Sequence, residues 1–297
     1  MGKTCEGEGE GVEVNKLMLR EQLIQFFSED IGHGDLTSEA IFDNEKGKAY
    51  FLAKDEGIFC GEEVIFSAYQ LFDPAIEVIM HKKDGDAVRG GEIICEVYGK
   101  ARDLLTSERV ILNIIQRLSG IATETNKAVK KMEGTSIRIC DTRKTTPGLR
   151  MLEKHAVTCG GGFNHRFGLH DAVLIKDNHI AQCGGDLDTA VKRVKEKLGH
   201  MVKVEVEVES REEVKRAVTS NVDVIMFDNC SPTEAKEWRK LVPDSIVVEL
   251  SGGITLHQLE EYVHTGVDYI SMGALTHSVK ALDISLDVSV KEGVSHA

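Results

Sequence analysis

Apolar positions between Lys16 and Phe27, namely Leu17, Leu19, Leu23, Ile24, Phe26 and Phe27, recur at helical spacing and predict a helix ending ahead of the glycine turn at Gly32 and Gly34. Residues 47–98 read instead as short strands around one helix at 62–72, a small α+β module in which Lys83 to Ile94 forms a structural hairpin. Arg102 to Met132 predicts a long helix whose Val110, Ile111, Leu112, Ile114, Ile115 and Leu118 leave almost no polar face, so it belongs in a domain or subunit junction. Beyond residue 135 the texture changes. Strand-like runs at 137–140, 172–175, 202–208, 222–227, 246–250 and 268–272 alternate with the helical segments LDTAVKRVKEKL, REEVKRAVT, PTEAKEWRKL and LHQLEEYVHT. That alternation implies a parallel sheet with right-handed crossovers. Six such units fall short of a closed eightfold barrel, so the expected class is α/β: an open (incomplete) α/β barrel with an N-terminal α+β domain. The expected division is an acidic leader at 1–13, an N-terminal domain at 14–118 and the barrel at 119–278, with the tail 279–297 packing back on the N-terminal domain.

Composition narrows the function classes. A net charge of −13 argues against general affinity for nucleic acid or an anionic membrane. No apolar run approaches the roughly 20 residues that span a bilayer. The opening MGKTCEGEGEGVEV is acidic and glycine-rich where a secretory signal is basic and then apolar, so it reads as a disordered lead-in to an intracellular, cytoplasmic protein. Seven cysteines are scattered with no C-x-x-C pair, which favours reduced thiols over a disulfide framework or a structural zinc site. Cys140, in a core strand, reads as a small buried hydrophobe.

Against that acidic background Arg138 to His179 stands out, with seven Arg or Lys against four Asp or Glu and four His besides. Two strand runs end there in charged residues, Asp141-Thr142-Arg143-Lys144 and Lys176-Asp177-Asn178-His179, and polar groups at the carboxyl ends of buried strands build active sites in α/β folds. Arg143, Lys144, His165, Arg166 and Lys176, without matching acids nearby, point to a ligand carrying several negative charges. A zinc site from His165, His170 and His179 has the wrong spacing for a regular element. Lys176 raises the separate reading of a Schiff-base lysine. In KVEVEVES the alternation puts Glu205, Glu207 and Glu209 on one face and the valines on the other, and Asp228 closes the next strand; such carboxylates suit a ribose, Mg²⁺, or positive charge developing on a sugar. The turns Ser251-Gly252-Gly253-Ile254 and Ser271-Met272-Gly273-Ala274 both lead toward helices on the last two strands, where α/β barrels commonly bind phosphate.

At these residues the chain resembles a known family. DTRKTTPGLRxLEK, the run GGGxNHRxGLxDAVLIKDNH, VEVEV, the Asp-Asn after the fourth barrel strand, SGGIT and SMGALTHS are similar to nicotinate-nucleotide pyrophosphorylase, also called quinolinate phosphoribosyltransferase, from about Asp30 to Ser278. The resemblance implies transfer of phosphoribose from 5-phosphoribosyl-1-pyrophosphate to quinolinate with Mg²⁺, releasing pyrophosphate and carbon dioxide and leaving nicotinate mononucleotide for NAD synthesis. It also implies a homodimer in which each N-terminal domain covers the partner's barrel, assembly beyond the dimer being left open. Carried over by motif, Arg143, Lys144, His165 and Arg166 bind the dicarboxylate, Arg109 reaches in from the neighbouring subunit, and Lys176 belongs to the same basic pocket. Glu207 and Asp228 hold the ribose and its metal, directly or through substrate, while Ser251 to Gly253 and Met272 to Ala274 cradle phosphate. Lys144, Lys176, Glu207 and Asp228 are then the residues expected to carry the chemistry.

Three other readings share parts of this pattern. A homologue associated with molybdate transport shares motifs without needing quinolinate, a nicotinate phosphoribosyltransferase handles a monocarboxylate, and a nucleotide-sensing barrel keeps the phosphate turns without catalysis. The intact set Arg109, Arg143, Lys144, His165 and Arg166 favours the dicarboxylate user.

Overall fold

In the computed structural model, which describes residues 13–290, the chain forms two compact units. The acidic leader, apart from Glu13, lies outside the described residues. In chain order the elements are α1 (Lys16–Ile31), α2 (Leu36–Ile41), β1 (Lys46–Ala53), β2 (Gly57–Ile58), α3 (Glu62–Phe72), β3 (Glu77–Met80), β4 (Ala87–Val88), β5 (Ile93–Lys100), α4 (Ala101–Lys131), β6 (Arg138–Cys140) and α5 (Arg150–Cys159). There follow β7 (Val173–Ile175), α6 (Asp177–Gln182), α7 (Leu187–Lys197), β8 (Val204–Val208), α8 (Arg211–Thr219), β9 (Val224–Asp228), α9 (Pro232–Arg239), β10 (Val247–Ser251), β11 (Tyr269–Ser271), α10 (Ala274–His277) and β12 (Ile284–Val290). Among the described residues no helix is long and apolar enough to cross a membrane.

The first unit takes residues 13–126, 147–161 and 279–290. Its antiparallel sheet runs β12-β1-β5-β3. β1 alternates buried and half-buried positions, the pattern of a strand with one face on a core. That core holds Phe51, Ile65, Tyr69, Ile111 and Ile115, all essentially without exposed surface. β4 does not close a hairpin with β5, as the sequence led us to expect; it pairs with β2, and β5 pairs with β3 and β1. The turn glycines explain the divergence, since Gly85 and Gly91 take positive φ on either side of β4 and turn it away from the sheet.

The second unit, 127–146 and 162–278, is built on a six-stranded sheet of order β6-β11-β10-β9-β8-β7. Every pairing in it is parallel. The sheet has two edges, β6 and β7, and is open, as the count of strand runs implied. Val204, Val206 and Val208 point into a core with Ile225, Phe227, Val248, Leu250 and Ile270, so the other face of β8 presents its glutamates. Helix starts follow local chemistry: Ser231 and Glu234 form a reciprocal capping box ahead of Pro232 on α9. LHQLEEYVHT does not form the α-helix predicted. It is a short 3-10 turn at Leu259–Tyr262. Leu259 and Tyr262 are both buried, and the three-residue repeat aligns them on one side.

Candidate functional site

All six parallel strands contribute to one cavity of about 380 Å³ in the second unit, at their carboxyl ends. Its basic residues are Arg143, Lys144, His165, Arg166 and Lys176, its acids Glu207 and Asp228, its hydroxyls Thr142, Ser251 and Ser271, and its apolar wall Leu174 and Met226. The five basic residues singled out from sequence are therefore gathered on one hollow. Thr142 and Ser271 fall in strand-end runs singled out from sequence, though without a role of their own; Leu174 and Met226, in the middle of β7 and β9, were missed, because an apolar strand position carries no signal that distinguishes a cavity wall from core.

Local structure fixes the basic group. Phe163 pairs with β6 through its N–H to Ile139 O at 2.8 Å and the Asp141 N–H to its own carbonyl at 3.1 Å. That lays 163–166 alongside the strand end. Asp141, fully buried, accepts the His165 N–H at 2.8 Å and the Asn164 amide at 2.7 Å. The Arg166 N–H donates to His165 Nδ1 at 2.8 Å, so the ring proton sits on Nε2, which faces Glu205 Oε2 at 3.1 Å and Glu249 Oε1 at 3.5 Å. Burial first, and the neighbouring Glu205 second, push the Glu249 carboxyl up to about 7. His165 is thus held by buried carboxylates, which corrects the expectation that these basic residues lack matching acids. Lys176 is a second correction, since it contacts Glu207 directly. The reason is topological: β7 and β8 are neighbours, so the residue after β7 lies beside the outward row of β8.

Arg143 and Arg166 behave differently. Arg166 donates Nη1–H to Ala172 O at 2.8 Å, while its buried Nε has no partner among the described residues. Its pKa is lowered by burial and then by the like charge of Arg143. Two guanidiniums held together at a cavity wall suit an anion, whose charge would ease the repulsion that Glu205 and Asp171 already offset in part.

Opposite charge lies beside it. Carboxylate oxygens of Glu207, Glu209 and Asp228 lie within 4.8 Å of one another. An all-oxygen, partly exposed set of this kind suits a hard cation such as Mg²⁺, with water or substrate completing its shell. His165, His170 and His179 do not assemble into such a group: His179 accepts the Lys176 N–H on Nδ1 at 3.0 Å instead. Lys176 is half exposed and ion-paired, not desolvated as a Schiff-base lysine would be.

The two turns differ from expectation. Ser251 lines the cavity and Gly252 and Gly253 take φ of 103° and 61°, but no α-helix follows them, so no helix dipole points there. Met272 is buried and its N–H is spent on Cys140 O at 2.9 Å, so it has no amide to offer a phosphate. Gly273 serves clearance: a Cβ there would lie 2.8 Å from Lys144 Cδ. Ala274 begins only the single turn of α10. Arg109 belongs to the first unit, on α4, where its exposed side chain lies 3.6 Å from Glu108.

The chain is similar to known proteins over most of its length. Residues 35–119 match the family model "Quinolinate phosphoribosyl transferase, N-terminal domain" and residues 121–287 the corresponding C-terminal domain. The chain is 54% identical over 277 residues, covering 93% of itself and 96% of the relative, to a Bacillus subtilis protein named "Probable nicotinate-nucleotide pyrophosphorylase (carboxylating)". It is 39% identical over 293 residues, 92% of itself and 83% of the relative, to the Nicotiana tabacum "Quinolinate phosphoribosyltransferase (decarboxylating) 2b, mitochondrial". The solved structure of the nicotinate-nucleotide pyrophosphorylase from Francisella tularensis superposes with a TM-score of 0.88 at 37% identity, over 94% of this chain and 98% of that one.

Proposed function

The chain belongs to the quinolinate phosphoribosyltransferase family, and from that premise we propose that it transfers phosphoribose from 5-phosphoribosyl-1-pyrophosphate to quinolinate with decarboxylation. The products are nicotinate mononucleotide, pyrophosphate and carbon dioxide. The observation that carries this reading is the adjacency of Arg143 and Arg166 on one cavity wall, with Glu207 and Asp228 lining the same cavity. A doubly anionic aromatic acid fits the first pair.

The residues divide the work by charge. Arg143 and Arg166, with Lys144 beside them, hold the two carboxylates, each charge-assisted hydrogen bond being worth roughly 1.5–3 kcal/mol. Leu174 and Met226 supply apolar surface for the ring. The ring nitrogen forms its bond to the anomeric carbon as the carbon–oxygen bond to pyrophosphate breaks. Positive charge accumulates on the sugar in that step, and Glu207 and Asp228 stabilise it. Lys176, paired to Glu207, acts electrostatically and fixes that carboxylate's orientation. The quaternised ring nitrogen is then the electron sink for loss of carbon dioxide, and the ring carbon takes up a proton.

Mg²⁺, which Glu207 and Asp228 would hold with Glu209 close by, neutralises charge on the leaving pyrophosphate when bound. Ser251 and the Gly252–Gly253 turn remain the proposed phosphate contacts. Assembly as a cytoplasmic homodimer, with Arg109 entering the neighbouring active site, completes the proposal; its exposed position on α4 leaves the guanidinium available for a partner. Incubation of purified protein with quinolinate, 5-phosphoribosyl-1-pyrophosphate and Mg²⁺ tests the function. Release of carbon dioxide with nicotinate mononucleotide is expected, and its absence from folded protein rejects the assignment.

A further inference from the structure

Four side chains that phosphoribosyl transfer does not use converge in the first unit. Cys60 follows β2, Asp84 sits in the turn between β3 and β4, and His155 and Cys159 lie one helical turn apart on α5. One ligand atom from each lies within 4.8 Å of all the others. His155 Nε2 is 2.8 Å from Asp84 Oδ2 and 3.4 Å from Cys159 Sγ. We propose that Cys60, Asp84, His155 and Cys159 form a structural binding site for one divalent transition-metal ion of the zinc type.

The donor set argues for that class of ion. Two thiolates, an imidazole and a carboxylate make the four-coordinate sulfur, nitrogen and oxygen shell that zinc takes, whereas Mg²⁺ and Ca²⁺ take oxygen alone. Spacing supports it too. His155 and Cys159, four apart on a helix, project from the same side, while the other two ligands arrive from separate loops.

Three of the four ligands are held by contacts from outside the cluster. Asp84 Oδ1 accepts the N–H groups of Gly61 at 2.7 Å and Glu62 at 2.9 Å, which caps α3 and leaves Oδ2 turned toward His155. The Cys60 N–H donates to Ser119 Oγ at 3.0 Å. Phe59 and the Asp84 turn are laced together by Gly85 N–H to Phe59 O and Phe59 N–H to Asp86 O, both 2.9 Å. At the end of α5 a Cβ on Gly160 would come within 2.4 Å of Ala122 O, so only glycine lets the helix end settle against α4 beside Cys159. Outer contacts of this kind orient metal ligands and hold the site ready before the ion arrives.

Access distinguishes a metal from other uses of the thiols. Asp84 and His155 line a cleft of about 1000 Å³, but neither cysteine does, and Cys60 has no exposed surface. An ion therefore has a path in from the oxygen and nitrogen side. A nucleophilic thiol needs the reverse arrangement, with sulfur on the cleft wall. A disulfide between the two sulfurs gives no use for the converging carboxylate and imidazole.

Tag-free full-length protein, stripped with chelator, is titrated first with Co²⁺ alone and then with Zn²⁺. Expected are one cobalt per chain with the intense visible bands of a tetrahedral site, a thiolate-to-cobalt charge-transfer band, and displacement of that cobalt by one zinc. Cys159→Ser should lower the charge-transfer intensity, one of the two thiolates being gone, and weaken zinc by more than the roughly 10–100-fold that removal of an outer contact costs. Because Cys60 is buried, Asp84→Asn serves as the second variant: its amide oxygen still accepts from Gly61 and Glu62, so the fold is kept while zinc weakens at least tenfold. Folding is checked by circular dichroism. Cobalt that binds without a thiolate band, no cobalt uptake, or zinc affinity unchanged in folded Cys159→Ser each overturns the site.

Discussion

His165 presents Nε2–H to Glu205 Oε2 at 3.1 Å, with Glu249 Oε1 3.5 Å away on the same side. Two strands, β8 and β10, and a loop thus place one imidazole over two buried carboxylates beneath the cavity. Burial, reinforced by Glu205, raises Glu249 to about 7. The folded chain then holds a proton that the unfolded chain releases near pH 4.5, so between those values the native state binds more protons than the denatured one. Stability from this group is complete below about 4.5 and is lost as pH rises through about 7, by on the order of 3 kcal/mol at most. Glu249→Gln keeps the shape without the ionisation. Melting temperature measured from pH 5 to 8 should fall less with rising pH in the variant than in the parent; parallel curves would refute the proton held on Glu249.

Arg166 has a buried Nε with no hydrogen-bond partner among the described residues. Replacing it by alanine removes a charge-assisted contact worth roughly 1.5–3 kcal/mol, and that predicts KM for quinolinate rising about 10- to 150-fold. Arg166→Lys restores charge without the planar fork and should recover only part of the loss. The KM for 5-phosphoribosyl-1-pyrophosphate should change little in both. An equal rise in the two KM values would place Arg166 elsewhere in the mechanism.

Much of this site was legible because its signals are local. Strand runs ending in charge located Arg143, Lys144, Lys176 and Asp228 at the ends of β6, β7 and β9, and alternation placed Glu205 and Glu207 on the polar face of β8. Pairing between strands was not legible. Glu205 and Glu249 lie on β8 and β10, separated by β9, and both meet His165 from a loop beyond β6. No spacing in the sequence encodes that meeting. The same blindness hid Cys60 and Cys159: the lack of a C-x-x-C pair speaks only to ligands close in sequence, whereas here two loops and a helix converge. The glycine turns misled for a different reason, since Gly-Gly marks a change of direction but does not specify a helix after it.

The carboxylates of Glu207, Glu209 and Asp228 make a metal dependence specific enough to test. Chelation should abolish turnover and Mg²⁺ restore it. In Asp228→Asn the Mg²⁺ concentration giving half-maximal rate should rise and kcat fall, while quinolinate binding measured by calorimetry without the sugar phosphate stays near that of the parent. Loss of quinolinate binding in that variant would show that Asp228 shapes the basic half of the site instead.

Arg109 can be assigned to a partner's active site by complementation. Arg109→Ala and Lys144→Ala should each be nearly inactive alone. Mixed and allowed to exchange subunits, they should regain activity, because some mixed dimers carry one site with both residues intact. Heterodimers visible by native mass spectrometry without recovered turnover would confine Arg109 to its own chain.

Gly252 and Gly253 separate two costs that a glycine turn combines. Gly252 has φ of 103°, and a Cβ there would lie 2.4 Å from both the N and Oδ1 of Asn229. Gly253 has φ of 61° and nothing within 4 Å of the same added atom. Alanine at Gly253 therefore meets only the left-handed backbone penalty, roughly 1–2 kcal/mol. Alanine at Gly252 adds a collision with backbone and must displace Asn229, whose N–H donates to Ser251 O at 3.0 Å beside the Ser251–Asp228 pairing of β10 and β9. Gly252→Ala should accordingly lower the melting temperature more than Gly253→Ala does. It should also raise KM for 5-phosphoribosyl-1-pyrophosphate more, because Asp228 and Ser251 move with the clash. Equal effects of the two substitutions on both measurements would mean that the close approach of Gly252 to Asn229 does not shape the sugar-phosphate side of the cavity.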